Sequence, residues 1–349
     1  MPSSEIIGWF ADIGLFDRLT VGGKGGSLGE LTRANIPVPA GFVVRTAAFE
    51  RFLGEMEKDE PIRAKVEALG AYELDKILSL SQELRARLEG APLPDDVNSE
   101  ILAAYAELCG RDNNPPLAVR SSATTEDAAD ASFAGLQDTY LWTIGEQATV
   151  RCVRSCWASL YSAASISYRR RQGLPESGVA MAVVIQGMVN AQKAGVMFTR
   201  SPLTGDRSVI TIEGAWGLGS SVVSGEVTPD RFVIGKITGE ISVREISDKH
   251  VQHLPAPGGG VGEAETPEEL RRVPCLSDAE ITALRDIGRK VERHYGRPQD
   301  IEWAIDYAGE IRLLQSRPET VWSSKDRAPV AKPADDPLQH VMKIFGGRR

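Results

Sequence analysis

The pattern of apolar residues changes near residue 178, and this change constrains the fold more than any other feature. Before it, glycine-punctuated loops alternate with segments whose apolar positions recur at helical spacing, as between Ala47 and Leu88. After it come apolar runs rich in β-branched residues, such as Val179–Val189, which predict antiparallel strands. We therefore predict an α+β fold with two lobes, residues 1–177 and 178–322.

Three further segments predict local structure. The sequence S-D-A-E at Ser277 is a capping box, which predicts a helix that runs to about Tyr295. A second helix is predicted from Val150 to Arg171. The glycine-rich stretch from Pro255 to Pro267 has little apolar bulk and is predicted to be a surface loop.

Residues 323–349 form a predicted linker and tail. The linker is rich in Pro, Ala and Asp and has too few apolar groups to fold alone. In the tail, apolar residues recur at i, i+3, i+4 and i+7, namely Leu338, Val341, Met342 and Phe345. This stripe predicts a short helix that docks on a partner; the alternatives are a frayed terminus and docking on the chain's own surface.

Composition excludes several classes of protein. The chain has 349 residues, enough for about two domains. Its 40 basic and 48 acidic side chains give a net charge of −8, which argues against binding to nucleic acid or to anionic membranes. No apolar stretch approaches the roughly 20 residues of a membrane span, and the N-terminus lacks a signal pattern. We expect a cytoplasmic protein.

Polar residues alternate with apolar ones in a predicted hairpin, Asp300–Asp306 with Ile311–Arg317. If Asp306 lies opposite Ile311, then Glu302 lies opposite Gln315, with Arg317 on the same face. The oxygens of Glu302 and Gln315 suit magnesium, and Arg317 suits a phosphate. The alternative is a polar trio across the strands that binds no ligand.

Three other segments carry candidate ligand-binding groups. Arg120 ends a short apolar strand and precedes a run of hydroxyl side chains, and Gly135 further on allows close backbone approach; a surface ion pair is the alternative for Arg120. Lys24 lies within G-G-K-G-G, where bare amides at a helix N-terminus favour anions, unless this is an ordinary turn. Gln186 lies in an apolar strand and needs a partner, either a ligand or the backbone.

Glu213 begins a glycine-rich segment, E-G-A-W-G-L-G. Two interpretations remain open for it. Its carboxylate and the glycine backbone could approach phosphates or magnesium. Alternatively, Gly214, Gly217 and Gly219 merely shape a turn.

Four segments together resemble the ATP-binding half of the family that includes PEP synthase, pyruvate phosphate dikinase, rifampicin phosphotransferase and phenylphosphate synthase. The resemblance covers roughly Ile7 to Trp322 and is carried by Val21–Leu31, Leu117–Thr139, Thr211–Asp230 and Asp300–Pro318. It implies a two-lobed, ATP-grasp-like module that holds ATP and Mg²⁺ in the cleft between its lobes. In this family ATP is split to AMP and phosphate, and the β-phosphoryl group is carried by a histidine on a mobile domain.

The resemblance also implies a role for individual residues. Lys24 and Arg120 bind nucleotide phosphates, and the loop through Gly135 and Thr139 closes over them. Gln186 lies in the adenine pocket. The family uses the hairpin in the way its pattern predicts: Glu302 and Gln315 hold the metal, while Arg317 contacts the phosphates.

The family's phosphoryl-carrier motif, of the type T-S-H, is missing from this sequence. We therefore expect the histidine to lie on a separate subunit. The family member that most resembles such an ATP-binding subunit is that of phenylphosphate synthase, which implies a phenol as the final acceptor. The alternatives are the ATP-binding part of a PEP-forming or antibiotic-phosphorylating enzyme, an ADP-forming ATP-grasp ligase, and a non-catalytic subunit that senses nucleotides.

Overall fold

The structure is a computed structural model that describes residues 4–110, 114–124, 127–128, 131–132 and 138–326. Gly135 and the apolar stripe of the tail lie outside the described residues, so what we expect of them stays a prediction.

Strands and helices alternate irregularly along the chain. The strands are β1 Ile7–Trp9, β2 Gly41–Val44, β3 Leu117–Ala123, β4 Asp127–Ala128, β5 Ala131–Ser132, β6 Thr139–Thr143, β7 Met181–Gly187, β8 Ala191–Phe198, β9 Val209–Trp216, β10 Asp230–Gly235, β11 Ile241–Glu245, β12 Val251–Pro255, β13 Val261–Glu265, β14 Gln299–Asp306 and β15 Ile311–Pro318. The helices are α1 Arg18–Arg33, α2 Thr46–Glu57, α3 Ile62–Glu67, α4 Leu74–Gly90, α5 Asp95–Cys109, α6 Glu146–Ser159, α7 Ala163–Gln172, α8 Ser220–Val223, α9 Glu268–Arg271, α10 Asp278–Tyr295 and α11 Val321–Asp326.

Two antiparallel sheets build the two lobes. The first has the strand order β1-β2-β7-β3-β6, and the second has the order β11-β10-β9-β8-β14-β15. Helices cover one face of the first sheet, where Phe52 stacks on the buried ring of Trp157 at 5.2 Å between centroids. The second sheet buries Trp303 and its neighbours against α10. This is the two-lobed α+β arrangement that the sequence predicts.

Helix α1 connects the lobes. Val21 and Leu28 of this helix pack on the first sheet, whereas Leu31 near its end belongs to the core of the second lobe. The Ser27 hydroxyl donates to the Ser316 carbonyl of β15, at 2.6 Å. The helix therefore contacts both lobes, and a cavity is lined by residues of both sheets.

The chain passes from the first sheet to the second between Gly187 and Ala191. The boundary predicted at residue 178 is therefore one strand too early, because β7 pairs with β2 and β3 in the first sheet. An apolar run identifies a strand, but its partners in this sheet lie far away in sequence. Periodicity alone does not reveal them.

Two other local predictions are wrong. The single helix expected from Val150 to Arg171 is two helices, because the chain turns at Ser162, whose hydroxyl accepts from the Ser165 amide and caps α7. The predicted loop after Pro255 is instead the end of a hairpin, β12 with β13, in which three consecutive glycines take positive φ angles at the turn. The glycines supply the left-handed backbone that this turn requires.

Helix α10 is confirmed with its capping box. The Glu280 amide donates to the Ser277 hydroxyl at 3.4 Å, and the Ser277 amide donates to the Glu280 carboxylate at 2.8 Å. Within the described part of the chain, every helix is too short or too polar to cross a membrane.

Replacing Ser277 with Ala is expected to lower the free energy of unfolding by about 1 kcal/mol, because it leaves the first turn of α10 with an unpaired amide. Urea denaturation checks this expectation. If the variant unfolds at the same urea concentration, and its free energy of unfolding depends on urea with the same slope, the cap contributes nothing to stability.

Candidate functional site

Arg120 forms the centre of the candidate site. It lies on β3, and its side chain is only 10% exposed. The guanidinium reaches across to the hairpin of the second lobe: Nη1 donates to the Leu314 carbonyl, and Nη2 donates to Glu302 Oε2 and to Gln315 Oε1, each at 2.8 Å. One side chain of the first lobe thus joins three groups of the second.

The hairpin pairs Glu302 with Gln315, as the sequence predicts, but its turn differs by one residue. Ile305, not Asp306, lies opposite Ile311, and a bulge after Glu302 restores the predicted pairing. The bulge places Leu314 outside the regular pairs, and its carbonyl accepts from Arg120. Bulges commonly re-aim groups next to functional sites.

Arg317 lies apart from this cluster. It pairs with Asp300 across the hairpin, its Nε is 3.5 Å from Asp300 Oδ2, and its side chain is about half exposed. Arg317 is nevertheless on the face that carries Glu302, because Asp300 precedes Glu302 by two residues.

Asp300 is a candidate that the sequence analysis did not single out. Burial raises the pKa of its carboxyl group to about 6, against the opposing charge of Arg317. Its Oδ1 atom is buried and has no hydrogen-bond partner among the described residues. The alternation that selected Glu302 also places Asp300 on the same face, so this signal was present in the sequence.

Gln186 lies in the cavity between the lobes, whose walls also include Arg120, Thr139 and Glu302. The Gln186 side chain is buried, and its Nε2 finds no hydrogen-bond acceptor in the described part of the chain. Much of the remaining wall is apolar, formed by Leu141, Met188, Val189, Leu218, Ala304 and Leu314. A buried donor without a partner is costly, so this cavity suits a flat apolar group with a hydrogen-bond acceptor at its edge.

The glycine-rich start of α1 differs from the prediction. Gly22 interrupts the helix with a φ of +70°, and a Cβ atom there would lie 2.1 Å from the Ser122 carbonyl oxygen. The Gly25 amide, expected to be bare, donates to the Ser122 hydroxyl at 3.1 Å. Ser122 therefore satisfies one of the amides that we assigned to a phosphate.

Lys24 lies beside this break, on α1. Burial raises the pKa of the Cys156 thiol well above its usual value, and the charge of Lys24 opposes that shift. The structure brings Arg120, Glu302 and Gln315 together, with Thr139 and Gln186 on the same cavity, whereas Lys24 and Arg317 are not among the residues that line it.

Glu213 lies on the same face of the second sheet as Glu302, because Val196 of β8 pairs with Glu213 on one side and with Glu302 on the other. It is two strands away and does not line the cavity. Burial raises the pKa of its carboxyl group, and Arg231 opposes the shift. At Gly217, the structure supports the turn interpretation, because its φ is +76° and a Cβ atom would lie 2.4 Å from the His253 carbonyl oxygen.

Comparison with known proteins identifies the module. The family model described as pyruvate phosphate dikinase, AMP/ATP-binding domain, matches residues 18–337. The chain is 39% identical to a probable phosphoenolpyruvate synthase of Methanocaldococcus jannaschii over 99% of its own length, and 37% identical to the phosphoenolpyruvate synthase of Pyrococcus furiosus over 98%. It is 39% identical to a rifampicin phosphotransferase of a Streptomyces species over 93%.

These relatives are much longer proteins. The chain spans 29% of the Methanocaldococcus protein, 47% of the Pyrococcus protein and 36% of the rifampicin phosphotransferase. The match with the family model covers both lobes and every candidate site residue named above. The chain therefore belongs to the pyruvate phosphate dikinase AMP/ATP-binding domain family.

Proposed function

We propose that this chain binds ATP with Mg²⁺ in the cavity between its lobes, cleaves ATP to AMP and phosphate, and passes the β-phosphoryl group to a histidine on a separate subunit. The observation that carries the proposal is the Arg120 cluster at the wall of a largely apolar cavity that also contains the unpartnered Gln186 amide. The cationic part of the cavity suits the phosphates of a nucleotide, and its apolar part suits the base.

Glu302 and Gln315 are the residues that we propose hold Mg²⁺. Their side-chain oxygens converge on one cationic nitrogen, Arg120 Nη2, which shows that the pair can face a positive charge together. Magnesium prefers oxygen ligands, and the unpartnered Oδ1 of Asp300 offers a further one nearby. The bound ion would supply charge neutralisation for the phosphates.

The arginines serve the phosphates in this proposal. Arg120 exchanges its bonds with Glu302 and Gln315 for phosphate oxygens when nucleotide binds, and Arg317 and Lys24 add positive charge from either side. Phosphoryl transfer depends mainly on such charge neutralisation and on alignment of the reacting oxygens. Gln186 donates to the adenine edge, and the segment through Gly135 and Thr139 closes over the phosphates.

A histidine on another subunit is proposed as the first acceptor because this sequence lacks the family's T-S-H-type motif and two of its histidines have partners within the chain. His294 bonds Glu30 at 2.7 Å, and both ring nitrogens of His253 have partners. For the final acceptor we propose a phenol, as the resemblance to phenylphosphate synthase implies. Pyruvate is the competing acceptor, and the names of the phosphoenolpyruvate synthase relatives favour it.

The test uses the full chain, magnesium, ATP labelled at the β-phosphate and a separately purified histidine-domain protein. We expect label on that protein and release of AMP, with little turnover by the chain alone. Rapid AMP formation without the second protein, or label retained on this chain, would contradict the split reaction. Release of ADP would identify a ligase, and tight binding without turnover would identify a nucleotide sensor.

The same mixture then separates the two acceptors. Adding phenol to the labelled histidine protein should remove its label, whereas pyruvate should leave the label in place. The opposite result would assign the chain to a PEP-forming enzyme.

A further inference from the structure

A serine, a histidine and a glutamate form a hydrogen-bonded chain at the edge of the cavity. Ser220 is the first residue of α8 and lines the cavity, and His253 lies on β12. The Ser220 hydroxyl is 2.7 Å from His253 Nδ1, and His253 Nε2 is 2.6 Å from Glu226 Oε2. The His253 side chain is only 13% exposed.

The backbone holds these three residues in place. The Leu218 amide donates to the His253 carbonyl at 2.9 Å, so the turn that leads into Ser220 is built on His253 itself. At Gly217 this contact is so close that no side chain fits. The Glu226 amide donates to the Ser221 carbonyl at 3.1 Å, so the third residue of the trio is bonded to the same short helix that carries Ser220.

The order of donors and acceptors follows from the chemistry of the three groups. An ionised carboxylate only accepts, so His253 Nε2 carries the hydrogen that it donates to Glu226. In neutral imidazole the other nitrogen then accepts, and it takes the single hydroxyl hydrogen of Ser220. The oxygen of Ser220 is left with lone pairs, and it is a hydrogen-bond acceptor at the cavity wall.

We propose that Ser220 is a nucleotide-binding residue that accepts a hydrogen bond from an N–H or O–H group of the nucleoside. In this proposal His253 and Glu226 are positioning residues, because they fix the direction in which the Ser220 hydroxyl donates its own hydrogen. This inference rests on the proposed function, in which the cavity binds ATP. Ser220 then complements Gln186, which offers a donor from the first lobe. The nucleoside has two kinds of matching donor, the 6-amino group of adenine and the ribose hydroxyls.

Binding of four nucleotides to the full chain tests the proposal by calorimetry. They are ATP, its 2′-deoxy and 3′-deoxy analogues, and purine riboside triphosphate, which lacks the 6-amino group. Ser220→Ala is expected to lower the affinity for ATP about tenfold, because it removes one hydrogen bond. It should leave unchanged the affinity for the one analogue that lacks the donor, and that analogue identifies the group. Ser224→Ala, an exposed serine just after α8, is the matched control and should bind all four as the unchanged protein does.

Glu226→Gln tests the positioning role. A glutamine can donate to His253 Nε2, which moves the ring hydrogen to Nδ1 and makes Ser220 present its own hydrogen to the cavity. We expect the affinity for ATP to fall by about as much as in Ser220→Ala. Combining the two substitutions should lower the affinity no further. If Glu226 had only a structural role, Glu226→Gln would instead lower the affinity for all four nucleotides by the same factor.

Two results would overturn the inference while leaving the proposed function intact. One is an Ser220→Ala protein that binds all four nucleotides within twofold of the unchanged chain. The other is an equal loss for all four. If the unchanged chain does not bind ATP, the proposed function fails and this inference fails with it.

Discussion

Arg120→Ala is expected to lower phosphoryl transfer to the histidine-bearing protein by about 10³- to 10⁵-fold, the range seen when a phosphate-neutralising arginine is removed. Arg120 bonds Glu302, Gln315 and the Leu314 carbonyl together. Its loss removes a positive charge and also a bridge between the lobes. Glu302→Ala is expected to cause a loss of similar size, because it removes a proposed metal ligand.

Arg120→Lys separates these two contributions. Lysine keeps the charge, but it lacks the planar fork that bonds three acceptors at once. We therefore expect transfer by this variant to remain strongly reduced, although the fold and the affinity for nucleotide change less than in Arg120→Ala.

The measurement is transfer of β-label from ATP to the histidine-bearing protein, with nucleotide affinity determined in parallel. Arg312→Ala is the matched control, because Arg312 lies on the same hairpin but is partly exposed and bonds Glu310 at its surface. This control should transfer phosphate at the unchanged rate. If Arg120→Ala retains transfer within tenfold of the original rate, Arg120 does not act on the phosphates.

The hairpin shows how far local reasoning extends. Strict alternation was enough to predict that Glu302 faces Gln315, and the residues on either side of Glu302, Ile301 and Trp303, are buried on the opposite face. The bulge was not predictable, because it depends on the length of the turn and on the fit of β14 against β8. As a result the sequence identified Glu302 and Gln315 but not the Leu314 carbonyl that completes the set of acceptors.

Contacts between distant segments were the main omission. The sequence marked Arg120 as a ligand-binding residue, yet nothing near it in the chain shows that its partners lie 182 and 195 residues away. The link between Ser220 and His253 was missed for the same reason, since it depends on a hairpin whose turn and second strand were predicted to be a loop. Local periodicity defines strands and faces, whereas the pairing of sheets decides which faces meet.

A buried ion pair in the second lobe also escaped the sequence analysis. The side chains of Lys249 and Asp230 are both fully buried, and Lys249 Nζ is 2.6 Å from Asp230 Oδ1. Asp230 also accepts from the amides of Ser247, at 3.0 Å, and Cys275, at 2.8 Å. Each carboxylate oxygen therefore has a partner, and the pair ties β10 to the segments before β12 and before α10.

Lys249→Met is expected to lower the free energy of unfolding by about 3–5 kcal/mol, because it leaves the Asp230 carboxylate buried without a compensating charge. Urea denaturation of the full chain measures the loss. Lys76→Met, at a lysine that is 70% exposed and pairs with Glu73 on the surface, should change stability by less than about 0.5 kcal/mol. Adding Asp230→Asn to Lys249→Met should recover part of the loss, because the amide oxygen still accepts but carries no charge. A loss below about 1 kcal/mol for Lys249→Met, or a double variant less stable than the single one, would show that the buried charge is not what destabilises the lobe.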